Sequence, residues 1–142
     1  MGGATPWTCD PVGADPHTVR LRHHPTASGA ARRHLTRFLS ARSVPAGTID
    51  DARLVVSELV ANAVQHGRPT EHGCLSLAWV LDASHLVLTV EDGGDAPIVR
   101  RSPDAQSTGG RGLHILDSLT RSWTVRRQDG TTMVCASIAL PT

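Results

Sequence analysis

The stretch SELVANAVQHG, residues 57–67, sets Glu58 and Asn62 four places apart in a run otherwise dominated by Leu, Val and Ala. Four residues is just over one helical turn, so both polar side chains leave nearly the same face of a helix, about 6 Å apart along its axis. Val55, Val56, Leu59, Val60, Ala63 and Val64 occupy most of the rest of the surface. A carboxylate and an amide on such an apolar helix need partners, because an unpaired buried acid is costly. For an isolated Glu-x-x-x-Asn pair the ordinary partner is a backbone group or an arginine. Two later stretches point to a ligand instead.

Working outward, this helix is the second of two. HTVRLRH, residues 17–23, alternates Val19 and Leu21 with polar neighbours, the period of a half-buried strand, and its arginines suit a sheet edge. From Thr26 to Arg42, Ala27, Ala31, Leu35, Phe38 and Leu39 recur at helical spacing. Arg32, Arg33, Arg37 and Arg42 turn away from that stripe, giving a basic outer face that is either solvated or a docking surface for an acidic partner. VPAG then breaks the chain, and Thr48 with Asp51 three residues on predicts a capped start for the second helix, which runs to about His66 and Gly67.

Downstream, CLSLAWVLD and HLVLTVED read as a hairpin, and residues 92–110 are too rich in Gly, Pro and polar groups to be regular throughout. Such a long loop inside a compact domain is expected to be functional or mobile. GRGLHILDSL predicts a short helix, and SWTVRRQD and TTMVCASIAL form a second hairpin turning at Asp129–Gly130. No period repeats. The order strand, helix, helix, strand, strand, loop, helix, strand, strand predicts an α/β (α+β) two-layer sandwich with a mostly antiparallel sheet. Residues 1–16 read as a flexible leader and 17–142 as one domain.

Composition limits the function classes. At 142 residues, 39% hydrophobic and 19% charged, with net charge +1, the chain reads as one globular domain without the footprint of direct nucleic-acid binding. All fourteen basic residues are Arg. Cys9, Cys74 and Cys135 are odd in number and lack a CxxC pair, which argues against a disulfide framework or zinc knuckle and fits a reducing cytoplasm. No signal peptide or apolar run of about 20 residues is present, so a soluble, cytoplasmic protein is expected. His66, His72 and Cys74 match no standard zinc-ligand spacing.

The two stretches that bear on the Glu58–Asn62 pair are rich in glycine. VEDGG places Asp92 at the end of a buried strand, directly before residues that let a ligand approach the backbone. GGRGLHIL sets Gly109, Gly110 and Gly112 at the start of a helix, where free amides and the helix dipole suit phosphate. Taken in this order, the three blocks resemble the GHKL-type (Bergerat-fold) ATPase domain of gyrase B subunits, Hsp90 chaperones, histidine kinases and MutL. More closely, they are similar to its small stand-alone branch, the anti-sigma-factor serine/threonine kinases, over about Val19 to Leu140.

The resemblance implies helices packed on a mixed sheet, with ATP held between them and a lid. It implies that Asn62 coordinates Mg2+ and that Glu58 is the catalytic base. Asp92 would accept a hydrogen bond from the adenine amine, Gly94 and then Gly110 and Gly112 would line the nucleotide, and Thr131 would help bind adenine. Implied partners are a sigma factor and an anti-anti-sigma protein of the STAS type, with a homodimer and with neither nucleic acid nor membrane. Departures from the pattern are Ala96, where the family often has a second glycine, and a short Lys-free lid over 97–108. Phosphate contacts there would fall to Arg100, Arg101 or Arg111. Retention of Glu58 favours a kinase, whereas Ala96 and the short lid favour a nucleotide-sensing interaction module without turnover.

Overall fold

The computed structural model describes residues 17–94, 115–128 and 130–141. Its elements are β1 (His17–Arg22), α1 (Ala27–Ala41), α2 (Ala46–His66), a 3-10 turn at Glu71–Gly73, β2 (Cys74–Leu81), β3 (His85–Asp92), β4 (Ser122–Gln128) and β5 (Thr131–Ala139). A further helical stretch covers 115–119. The sheet runs β1-β2-β3-β5-β4, and its four pairings are all antiparallel. Helices on one face of an antiparallel sheet form the expected two-layer α+β sandwich.

Alternation along each strand decides which face the helices cover. Leu75, Leu77 and Trp79 of β2, Leu86, Leu88 and Val90 of β3, and Val134, Ala136 and Ile138 of β5 are all buried in one core cluster. Against them lie Ala27, Ala31, Leu35 and Leu39, a strict four-residue stripe on α1, and Ala52, Val55, Val56, Leu59, Val60 and Ala63 of α2. Burying each large aliphatic side chain contributes roughly 1.5–3 kcal/mol, so this stripe-on-sheet contact holds the layers together. Cys135 is buried too, but alternation puts it on the sheet face opposite Val134 and Ala136 instead of in this core.

Turns follow local chemistry. Asp82 Oδ1 accepts the backbone N–H groups of Ser84 (2.7 Å) and His85 (2.8 Å), closing the β2–β3 hairpin, and these donors hold its carboxyl below the ordinary value. Gly130 turns β4 into β5 at φ 77°, where a side chain is disfavoured. One expected boundary differs. Thr48 does not cap α2; the helix begins at Ala46, because Pro45 sits at φ −58° and its carbonyl accepts the Ile49 N–H at 3.0 Å. Proline presets the entry, and Thr48, only 8% exposed, becomes part of the packed first turn.

Candidate nucleotide-binding site

At one end of the core the two layers part, leaving a narrow cleft whose free volume is about 10 Å3. Asn62, Ala63 and His66 from the last turns of α2 form one wall. Val90, Asp92 and Gly94 from β3 and its exit, with Thr132 and Val134 from β5, form the other. Asp92 arrives there by strand parity. It continues the inward row Leu86, Leu88, Val90, so the sheet face that is apolar along most of its length ends in a carboxylate.

Asp92 is only 5% exposed. Its Oδ1 accepts the Gly94 N–H at 2.7 Å, and the Arg68 N–H also reaches the carboxylate. Burial nevertheless outweighs these donors and pushes the carboxyl above its ordinary value; the charge of His23 opposes that rise and Glu91 adds to it. A buried carboxyl held by backbone donors at a cleft wall is suited to reading a hydrogen-bond donor on a ligand.

Close backbone crossings make this arrangement possible. A Cβ on Gly67 would collide with the Asp92 carboxyl and would lie 2.7 Å from the Ala63 carbonyl oxygen. Gly93 passes so near Pro69 that a Cβ there would strike the Pro69 carbonyl, and its N–H donates to Arg68 O at 2.7 Å. The glycine directly after Asp92 therefore serves a chain crossing. On the far side His23 donates through Nε2 to the Ala63 carbonyl at 3.0 Å, the same oxygen that accepts the Gly67 N–H at 3.0 Å. His23 thus clamps the end of α2 that Gly67 presses onto Asp92.

Asn62 lies in the cleft wall, as its position on α2 predicts. Glu58, one turn earlier, is half-buried and does not line the cleft among the described residues; burial alone pushes its carboxyl upward. Thr131 is a correction: the cleft is lined by Thr132, which is 3% exposed and pairs across the ladder with Asp92. Thr132 donates its hydroxyl hydrogen to the Gly94 carbonyl, fixing the β3 exit. Thr132 shares the parity of Val134, Ala136 and Ile138, whereas Thr131 falls on the opposite face and is placed across from Gln128 of β4. That period-2 signal was present in the sequence; Gly67 and His23 carried none, because their roles arise from segments meeting in space.

Gly109, Gly110 and Gly112, Ala96, and Arg100, Arg101 and Arg111 lie outside the described residues. Among the described residues no group of three or more His, Cys, Asp or Glu side chains is arranged to hold a metal. No described helix is long and apolar enough to cross a membrane.

An open antiparallel sheet under a helical layer, with an acid-and-amide cleft at one end, makes this a small α+β domain. The family model of the histidine kinase-like ATPase domain matches residues 21–138, and the chain belongs to that family. Its fold is similar to the RsbU and RsbW domains of Rv1364c from Mycobacterium tuberculosis (TM-score 0.68, 21% identity, 90% of this chain and 33% of that one). It is also similar to a chain of the SiaB-SiaC complex from Pseudomonas aeruginosa (0.64, 14%, 86% and 88%). A third likeness is to the histidine kinase domain of the blue-light activated histidine kinase from Erythrobacter litoralis EL346 (0.51, 22%, 82% and 60%). The chain thus spans a third of the length of the first of these structures. A comparison with curated proteins gives no match.

Proposed function

We propose that the chain binds Mg-ATP in the cleft between α2 and the β3–β5 edge and acts as a regulatory serine/threonine kinase of the anti-sigma-factor type. The observation that carries this reading is Asp92: a buried carboxyl in the wall of the cleft opposite Asn62, fixed by two backbone donors. The donor and acceptor types of these residues suit an adenine nucleotide. Asp92 would accept the adenine amine, Thr132 would support the adenine edge in place of Thr131, and Gly94 would give the base room. The Asn62 amide oxygen would be one ligand of magnesium, an ion that favours oxygen donors and keeps several waters. Gly110 and Gly112 would offer backbone amides to the phosphates.

Bound Mg-ATP would supply the terminal phosphoryl group. Glu58 would take up the proton from the attacking hydroxyl at its carboxylate; burial, which raises its proton affinity, suits that role. The acceptor would be a Ser or Thr of an STAS-type anti-anti-sigma protein, and the chain, acting as a homodimer, would also sequester a sigma factor by direct binding. Membership of an ATPase family and likeness in fold to RsbW and SiaB structures support this reading.

One observation favours a second reading, a nucleotide sensor without turnover: Glu58 stands outside the cleft lining. Labelled ATP incubated with a candidate STAS-type protein separates the two. Transfer to Ser or Thr by the wild type, lost in Glu58→Gln while nucleotide binding persists, supports the kinase. Binding without transfer in either form supports the sensor.

A further inference from the structure

The second notable concavity of the molecule lies away from the cleft, on the outer surface of the helical layer. It is a groove between α1 and α2 lined by Gly29, Arg32, Arg33, Thr36, Arg37 and Arg53. Four of its six lining residues are cations, and none is acidic. α1 contains no Asp or Glu at all along Ala27–Ala41. Among the described residues Arg33, Arg37 and Arg53 have no ion-pair partner, and Arg32 spends a single N–H on Ser57 Oγ, at 2.9 Å. Like charges gathered one helical turn apart repel, so the isolated fold carries this cluster at a cost.

Three details distinguish the groove from a merely solvated face. Gly29 leaves open the place where two guanidinium groups converge: a Cβ there would lie 3.4 Å from Arg33 Nη1 and 3.6 Å from Arg32 Nη2. Arg32 is anchored, since Ser57 Oγ, which it reaches, itself donates to the Arg53 carbonyl at 2.7 Å. The hydroxyl of Thr36, also in the lining, is buried and has no hydrogen-bond partner among the described residues. Guanidinium groups held in one place recognise carboxylates by paired N–H donors, with less ordering cost than free side chains.

We infer that this groove is a docking surface for an acidic segment of a protein partner, one that presents several carboxylates along its length. Charge complementarity selects the sign, and geometry selects the form. From Gly29 to Arg37 the groove follows α1 for eight residues, about 12 Å. That length matches a stretch of chain with successive Asp or Glu side chains better than a single compact anion. Because it faces away from Asn62 and Asp92, the surface is separate from the proposed nucleotide site and does not depend on it.

The test uses the full chain and a fluorescently labelled 12-residue peptide with Glu at every second position, followed by anisotropy at low and at near-physiological salt. The wild type is expected to bind, with affinity falling as salt rises. The double variant Arg33→Glu, Arg37→Glu is expected to bind at least ~10-fold more weakly, roughly 1.4 kcal/mol. Both positions are exposed and helical, and an unchanged thermal melting curve confirms that the variant folds. Equal binding to wild type and variant, or no binding to the wild type at low salt, would overturn the proposal. Displacement of the peptide by equimolar inorganic phosphate would also overturn it, in favour of a small-oxyanion pocket. So would wild-type self-association that the double variant abolishes, which would make a second copy the occupant.

Discussion

The two ends of the core are finished in opposite ways. At one end aromatic rings close it: Phe38 meets Trp79 edge-on with centroids 5.4 Å apart, His17 meets Phe38 at 4.3 Å and stacks on Trp79 at 6.0 Å, and the Arg42 guanidinium caps the Phe38 ring at 3.6 Å. At the other end bulk is withheld. Gly67, Gly93 and Gly94 bring backbones together, and the inward row of β3 ends in Asp92 where one more apolar residue would have sealed the core. The first end serves stability. The second gives up apolar burial for a polar cleft, and the difference separates scaffold from site within one sheet.

Substitutions should therefore act on different observables at the two ends. The largest effect is expected for Trp79→Ala, which opens a cavity in the closed end: about 3–5 kcal/mol of stability lost in chemical denaturation, with nucleotide affinity per folded molecule unchanged. Next comes Asp92→Ala, expected to lower adenine-nucleotide affinity by about 2–3 kcal/mol, roughly 30- to 150-fold in calorimetry. Gly67→Ala would force the end of α2 off Asp92, costing about 1–3 kcal/mol of stability and weakening binding at the same time. The smallest effect is expected for Trp79→Phe. The indole Nε1 is buried without a partner among the described residues, so removing it offsets part of the lost packing and the melting midpoint should move by only a few degrees.

A pH series sharpens the comparison. Burial holds the Asp92 carboxyl above its ordinary value, so the folded state binds that proton more tightly than the unfolded chain. Stability contributed by this group is thus greatest at low pH. It falls as pH rises from the ordinary carboxylate value up through the raised one, then levels off once Asp92 is ionised in the folded protein. Asp92→Asn should remove that slope and be at least as stable as wild type at neutral pH, while binding nucleotide less well. A variant that loses stability at neutral pH would show that the carboxylate is structural.

Much of this was legible in the sequence because it rests on local periodicity. Four-residue recurrence marks the α1 stripe, period two marks the strands, and the same period carries Asp92 to the inner face. Thr131 shows the limit of reading by motif: its neighbour Thr132 has the parity of Val134 and Ala136, and parity decides which side chain enters the cleft. The Thr-x-x-Asp pattern misplaces the α2 start because a side-chain cap and a proline entry compete, and Pro45 fixes the backbone first. Gly67 against Asp92, His23 on the Ala63 carbonyl, and Arg53 completing the groove begun on α1 are meetings of distant segments. No local pattern specifies them.

The central claim is that the open end of the core is an adenine-nucleotide site. Calorimetric titration of the full chain with ATP, with and without magnesium, alongside Asn62→Ala and Asp92→Asn, tests it most directly. The account predicts magnesium-enhanced binding to the wild type, loss of the magnesium enhancement in Asn62→Ala, and weakened binding with or without magnesium in Asp92→Asn. Wild-type binding of equal strength to both variants, or no binding of ATP to the folded wild type, would contradict it.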